Sequence, residues 1–375
     1  MDVDLPANVE CVAELQGHDD RAWHTAWNPT KPILASCSAD KTVRLYHYGR
    51  NDDEPDPGSI SFKHVNTIQT GHTKTVRAIA WSPSGRTLAT ASFDANIGIW
   101  EREGAEEEED EDGNPSHTVH SGEWECMSLL EGHETECKSV AYSSSGNLLA
   151  SCSRDKTVWV WEVHPDSDFE CMGVMMEHSQ DVKQVAWHPT EEILASASYD
   201  DTIKLYIDDP SEDWFCFATL TGHASTVWSL AFSPNGRYLA SCSDDLTIRI
   251  WERVEQYKWE CVEVIEGVHE RSIYSIAWGT GEGRKGEDSL GWLASTGGDG
   301  KINVFEFHAP PTTSETSGTR PPPSHHLLAR VTSAHGVHDV NSVSWCPRQG
   351  LRNILSTAGD DGIVKVWKIT PPKES

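Results

Sequence analysis

The sequence predicts an all-β chain, a seven-bladed β-propeller of four-stranded blades closed by an N-terminal strand that completes the last blade. Three observations carry this. A His is followed, most often 22 residues later, by an Asp; an aromatic stands six residues after that Asp; and alternating apolar runs between them are cut by turn-forming clusters. The pairs are His18 with Asp40, His72 with Asp94, His133 with Asp155, His178 with Asp200, His223 with Asp245, His269 with Asp299 and His335 with Asp361. Five share the 22-residue spacing, the sixth has 30 and the seventh 26. The aromatics are Tyr46, Trp100, Trp161, Tyr206, Trp251, Phe305 and Trp367.

Within one unit, TVRAIAWSPSGRTLATASFDANIGIW (75–100) reads as three strands separated by Ser-Pro-Ser-Gly and Phe-Asp-Ala-Asn. A stretch such as WECMSLLEGH (124–133) supplies the fourth strand and leads into the next His. The blades are centred on 18–70, 72–131, 133–177, 178–222, 223–267, 269–333 and 335–369, and the whole of 1–375 is expected to be one domain. The last unit stops after its third strand, while VECVAEL (9–15) precedes the first His as a strand without a unit of its own. Pairing the two removes an exposed edge.

Ser, His and Asp in each unit invite comparison with a catalytic triad. Seven copies speak against it. An active site needs one arrangement in one pocket, whereas a buried polar network that ties strands together is needed in every blade.

The formal net charge of −29 opposes binding to a phosphate backbone, so no nucleic-acid partner is expected. The acidic run EREGAEEEEDEDGNPS (101–116) reads as a solvated loop. No apolar run is long enough to span a bilayer, and MDVDLPANVE lacks an apolar signal core. No membrane is expected as partner, and the expected compartment is the cytosol, with the nucleus open. The ten cysteines then read as free thiols. Four of them, Cys126, Cys171, Cys216 and Cys261, recur every 45 residues in WEC, FEC or WFC phrases. Blades keep such positions apart, so they are expected to be buried structural residues; no metal site and no cofactor are expected.

Strand order sorts the loops. The turn before each His and the S-x-D turn open on one rim; the long insertions 49–63, 102–121, 279–291 and 308–325 open on the other. Two positions per blade should decorate the short-turn rim. One precedes the Asp: Ala39, Phe93, Arg154, Tyr199, Asp244, Gly298 and Asp360. The other opens the innermost strand: Trp23, Arg77, Lys138, Lys183, Trp228, Tyr274 and Asn341. Arg77, Lys138, Lys183 and Arg154 form a cationic arc facing an aromatic arc of Trp228, Tyr274 and Trp23, with Phe93 and Tyr199 beside the cations. On so acidic a chain this pattern fits a partner that offers carboxylates and an apolar anchor.

The Gly-His pairs at Gly71-His72, Gly132-His133 and Gly222-His223, and the Trp-Glu pairs at Trp100-Glu101, Trp161-Glu162 and Trp251-Glu252, resemble the WD-repeat family. More narrowly, SRDKTVWVWE (153–162), HSQDVKQVAWHP (178–189), ASASYDDTIKLY (195–206) and HASTVWSLAFSP (223–234) look like the WD-repeat subunit of the cytosolic iron–sulfur protein assembly machinery. That resemblance implies a non-catalytic scaffold in a targeting complex. Its implied partners are an iron-only-hydrogenase-like cluster carrier, a helical-repeat adaptor, a small acidic subunit and apo iron–sulfur client proteins. The Arg of S-R-D, which the family is thought to use on its binding face, corresponds to Arg154. Some animal members carry a Leu-Tyr-Arg or Leu-Tyr-Lys element for a co-chaperone; the matching Leu205-Tyr206-Ile207 lacks the basic residue. A generic WD-repeat adaptor, such as a ubiquitin-ligase substrate receptor or a histone reader, is the alternative. An enzyme would need one non-repeated polar cluster.

Overall fold

The structure is a computed structural model, described for residues 7–50, 60–102, 122–165, 168–209, 213–282, 288–310 and 321–371. Most of the acidic run, residues 103–116, lies outside them. All 28 elements are strands, in seven four-stranded antiparallel sheets. No helix of the described residues is long and apolar enough to cross a membrane.

Blades 1 to 6 are consecutive meanders that begin at Ala22, Val76, Cys137, Val182, Val227 and Ile273. Blade 7 takes Val340–Trp345, Ile354–Gly359 and Val364–Thr370 from the end of the chain and Asn8–Leu15 from its beginning. Its register runs from Asn8 opposite Thr370 to Leu15 opposite Val364, so the expected closure is what forms. The innermost strands contact one another in a closed ring, blade 7 returning to blade 1.

Indole N–H groups stitch neighbouring blades together. Trp81 donates to the Ala26 carbonyl (3.1 Å), Trp187 to Ala141 (3.0 Å), Trp345 to Ala277 (3.1 Å) and Trp27, across the closure, to Ser344 (3.2 Å). Each of these rings also fills a hydrophobic cluster shared between two blades.

The recurring His is buried or nearly so and meets its Asp in every blade, Nδ1 to carboxylate at 2.8–3.1 Å. In blade 3, His133 Nδ1–H donates to Asp155, Ser151 Oγ donates to His133 Nε2, and Trp161 Nε1–H donates to Ser151 Oγ. The relay satisfies each buried polar atom in turn, which is why Ser, His, Asp and Trp recur together. Where blade 6 has Phe305 in place of Trp, the Asn303 amide approaches His269 Nε2 at 3.0 Å instead.

The same Asp shapes the S-x-D turn. Its Oδ1 accepts the N–H two residues on, as from Thr157 to Asp155 (2.9 Å), and the intervening residue takes a left-handed conformation in all seven blades. Lys41, Ala95, Lys156, Asp201 and Leu246 accept that φ against their side chains' preference, while Gly300 and Gly362 do so freely.

Burial alone would raise the pKa of these seven aspartates. The hydrogen bonds and charge of the His ring, with bonds from the turn, outweigh it, and all seven lie below the ordinary value, Asp299 at about 2. The unfolded chain therefore binds these protons first as pH falls. The stability they contribute is complete above the unfolded value of ~3.9 and is lost as pH drops through the folded values. The melting temperature should decline steeply between about pH 4 and pH 2, and Asp245→Asn should blunt that decline. A melting temperature flat down to pH 3 would remove the aspartates from the stability account.

Two sequence expectations change here. The 49–63 insertion is shorter than expected, because strand Thr42–Arg50 pairs with Ile60–Gln69 out to Arg50 opposite Ile60. The cysteines of the WEC phrases are free but not buried: Cys126, Cys171 and Cys261 are exposed and Cys216 is half-buried. They sit on outermost strands, which bury their last residue and, in blades 4 and 5, Trp214 and Trp259 near the start, but leave the cysteine position toward solvent. There each thiol donates to the carbonyl two residues on, as Cys126 does to Ser128 (3.5 Å). The buried thiols are Cys37, Cys137, Cys152, Cys242 and Cys346, and burial pushes Cys37 up to about 12.

Candidate functional site

The short-turn rim is built from two backbone devices, repeated in every blade. The first is a β-bulge between the two innermost strands. In blade 1, Ala22 faces Ser38 and His24 faces Cys37, leaving Trp23 with no partner. The skipped residue in the other blades is Arg77, Lys138, Lys183, Trp228, Tyr274 and Asn341. A bulge re-aims the side chain of its extra residue, so all seven innermost-strand positions leave the sheet's regular alternation.

The second device holds the residue before Asp. Its N–H donates to a carbonyl two residues ahead of the bulged position: Ala39 to Arg21, Phe93 to Thr75, Arg154 to Glu136, Tyr199 to Asp181, Asp244 to Thr226, Gly298 to Ser272 and Asp360 to Asp339, all at 2.8–3.1 Å. Backbone atoms alone fix this position. The side chain is therefore free to vary, and Arg154 and Tyr199 stand exposed.

The bulged cations stand in blades 2, 3 and 4 and the bulged aromatics in blades 5, 6 and 1, and the two sets touch where they meet. Further contacts cross or follow the blade boundaries. The Arg77 guanidinium lies over the Trp23 ring of blade 1 at 4.8 Å, and Lys138 Nζ over Phe93 of blade 2 at 4.1 Å. Lys183 Nζ sits between Tyr199 of its own blade, at 5.1 Å, and Trp228 of blade 5, at 5.0 Å. The Trp228 ring meets Tyr274 of blade 6 edge-on, 5.3 Å between centroids, and its N–H donates to Asp244 (2.6 Å). A cation over a ring face is held by the ring's quadrupole without losing its hydrogen-bonding capacity.

Two carboxylates that the sequence reading missed share this surface. Glu136 pairs with Lys138 and, at 3.3 Å, with Arg154; Asp181 pairs with Lys183 at 3.5 Å. They lie two residues before the bulged Lys, a spacing that could have disclosed them. Arg77 differs. No carboxylate of the described residues lies within ion-pair reach of it, and burial pulls its pKa down. Burial likewise lowers Lys183, opposed by Asp181, and burial followed by Asp339 raises the Tyr274 phenol. The Trp23 indole N–H is buried with no hydrogen-bond partner among the described residues. The rim thus offers an unneutralised guanidinium beside an indole, then a Lys between two rings. Such a surface can accept carboxylates and flat apolar groups together.

The fold and this rim define a WD-repeat β-propeller. The family model described as WD domain, G-beta repeat, matches residues 9–47, 62–101, 124–162, 169–206, 214–252 and 327–368, so the chain belongs to that family. These matches leave 253–326 uncovered, where blade 6 has its stretched spacing yet still forms four strands. Among curated relatives, a protein named "Probable cytosolic iron-sulfur protein assembly protein 1" from Mycosarcoma maydis is 49% identical, covering 97% of this chain and 93% of its own. Proteins of the same name are 43% identical in Cryptococcus neoformans (96% and 99% covered) and 35% identical in Debaryomyces hansenii (96% and 100%). Within the WD-repeat proteins, the chain belongs to this cytosolic iron–sulfur protein assembly family.

Proposed function

We propose that this chain works in cytosolic iron–sulfur protein assembly as a non-catalytic docking platform. The observation that carries the reading is the short-turn rim, where three of the seven bulged side chains, Arg77, Lys138 and Lys183, are cations set on aromatic faces. Its partners are those of a targeting complex: an iron-only-hydrogenase-like cluster carrier, a helical-repeat adaptor, a small acidic subunit and apo client proteins. The cluster is cargo held between partners, and the platform orders them. Acidic segments that carry an apolar anchor match the rim's chemistry, since carboxylates meet Arg77 and Arg154 while the anchor packs on Trp23, Trp228 or Tyr274. The compartment that fits this work is the cytosol.

Purification of the tagged chain from its native host tests the reading. Iron–sulfur carriers and apo clients should co-purify, and their recovery should fall at high salt as charged contacts are screened. Recovery of ubiquitin-ligase subunits or histones in their place would overturn it.

A further inference from the structure

Blade 6 carries a side-chain set that the docking function does not use. Glu306 and His308 lie two residues apart on strand Ile302–His308, and therefore on one face. His326, on the outermost strand Ser324–Val331, is the cross-strand partner of Glu306. Both imidazoles aim Nε2 at the same carboxylate oxygen: His326 at 3.3 Å and His308 at 3.6 Å from Glu306 Oε2. The rings stand parallel, 5.9 Å between centroids and 8° between planes. One ligand atom from each of the three residues lies within 4.8 Å of the others.

These separations are long for charge-assisted hydrogen bonds, which run ~2.7–2.9 Å. They suit a shared cation. Ligand atoms each ~2.0–2.2 Å from one metal stand roughly 3–3.5 Å apart. Glu306 is also held from behind, its Oε1 accepting the buried Trp292 indole N–H at 3.3 Å. Metal-binding carboxylates are characteristically oriented in this way.

The repeat itself supplies a comparison. In blades 2 and 5 the Glu at this position meets an Arg instead, Glu101 with Arg86 at 3.7 Å and Glu252 with Arg237 at 2.7 Å. Blade 3 repeats the layout as Glu162, His164 and Glu170, but with one imidazole, with a central carboxylate far more exposed than Glu306, and with Nε2–carboxylate distances of 3.9 Å. Only blade 6 combines two imidazoles with a buried carboxylate among the described residues. Two nitrogens and one carboxylate suit borderline divalent ions such as Zn2+ rather than Mg2+ or Ca2+.

We propose that Glu306, His308 and His326 bind a divalent first-row transition cation of the zinc type, with water completing its coordination. The cation joins the outermost strand of blade 6 to its neighbour at the long-insertion rim, in the blade whose sequence departs most from the repeat.

The test is titration of the full chain, stripped with chelator and kept reduced, with Zn2+ by calorimetry and dye competition. Exposed cysteines can also take zinc, so the comparison between variants decides. The wild-type chain should bind one more equivalent than His308→Ala or His326→Ala, and His164→Ala should retain it. His326→Glu, which recreates the blade 3 set, should weaken that equivalent by at least tenfold; loss of a mere orienting group already costs ~10–100-fold. Zinc should raise the melting temperature of the wild type and not of the two alanine variants. The His308 and His326 side chains are 30% and 48% exposed, so their metal-free melts should match the wild type. Absence of zinc binding by the wild type, unchanged binding in both alanine variants, or loss of the same equivalent in His164→Ala overturns the site.

Discussion

A chain lacking residues 1–16 should melt far below the full-length protein or fail to accumulate in soluble form. The deletion removes seven paired positions from the edge of blade 7 and the Lys365–Glu14 ion pair. It also uncovers two hydrophobic clusters, one holding Val9 against Trp367 and Ile369, the other holding Leu15 with Val12 and Ala13 against Val364 and Val366. Burial of Leu15 alone is worth ~1.5–3 kcal/mol, and each lost backbone hydrogen bond costs a net ~0.5–1.5 kcal/mol. Set against a typical total of ~5–15 kcal/mol, the loss is a large fraction of the stability. A synthetic peptide of residues 7–16 added in trans should restore part of the melting temperature by filling the vacant edge. A truncated chain that melts like the full-length one, with no response to the peptide, would show that closure does not rest on this strand.

Reversing Arg154 to Glu should abolish partner binding while leaving the fold intact. The side chain is 59% exposed, and the turn is held by the backbone N–H of Arg154 and by Asp155. Stability should shift by no more than about 0.5 kcal/mol, as at other surface sites. In a complex, the new carboxylate stands next to Glu136 and opposite an acidic partner. Removing one member of a hydrogen-bonded charge pair at an interface costs ~2–5 kcal/mol, or about 30-fold to a few thousand-fold in affinity. Arg102→Glu, at the opposite rim, serves as the control and should bind normally. If Arg154→Glu binds every partner as the wild type does, or loses binding only because it melts early, the docking surface lies elsewhere.

What the sequence disclosed follows from how local its determinants are. The Asp that caps its own turn, the His that answers it and the aromatic six residues on are set by short-range hydrogen bonds, so their spacing is readable without coordinates. Closure is readable because Val9–Leu15 is a strand with no unit and the last unit lacks its fourth. Depth and direction are another matter. A bulge shifts the register at Val160/Trp161, and likewise at Leu45/Tyr46 and Ile250/Trp251. A one-residue shift changes the face on which a side chain lies. Alternation therefore could not show that Cys171 and Cys261 are exposed. The seat of Lys183 between Tyr199 and Trp228 was hidden for another reason, since it depends on how blades 4 and 5 meet. The set of Glu306, His308 and His326 escaped because its members lie up to 20 residues apart in the chain and carry no motif spacing.

The pairing of residue 8 with residue 370 has a consequence in time. Contacts between residues so distant in sequence close the longest loop the chain can form and are the slowest to arise. Blades 1 to 6 hold all their strands locally and can assemble as they emerge from synthesis, at ~5–20 residues per second. Asn8–Leu15, made first, waits unpaired until Val364–Thr370 appears. For much of its early life each molecule therefore displays a solitary extended segment, which is the kind of chain that chaperones recognise and that neighbouring nascent copies can capture in exchange.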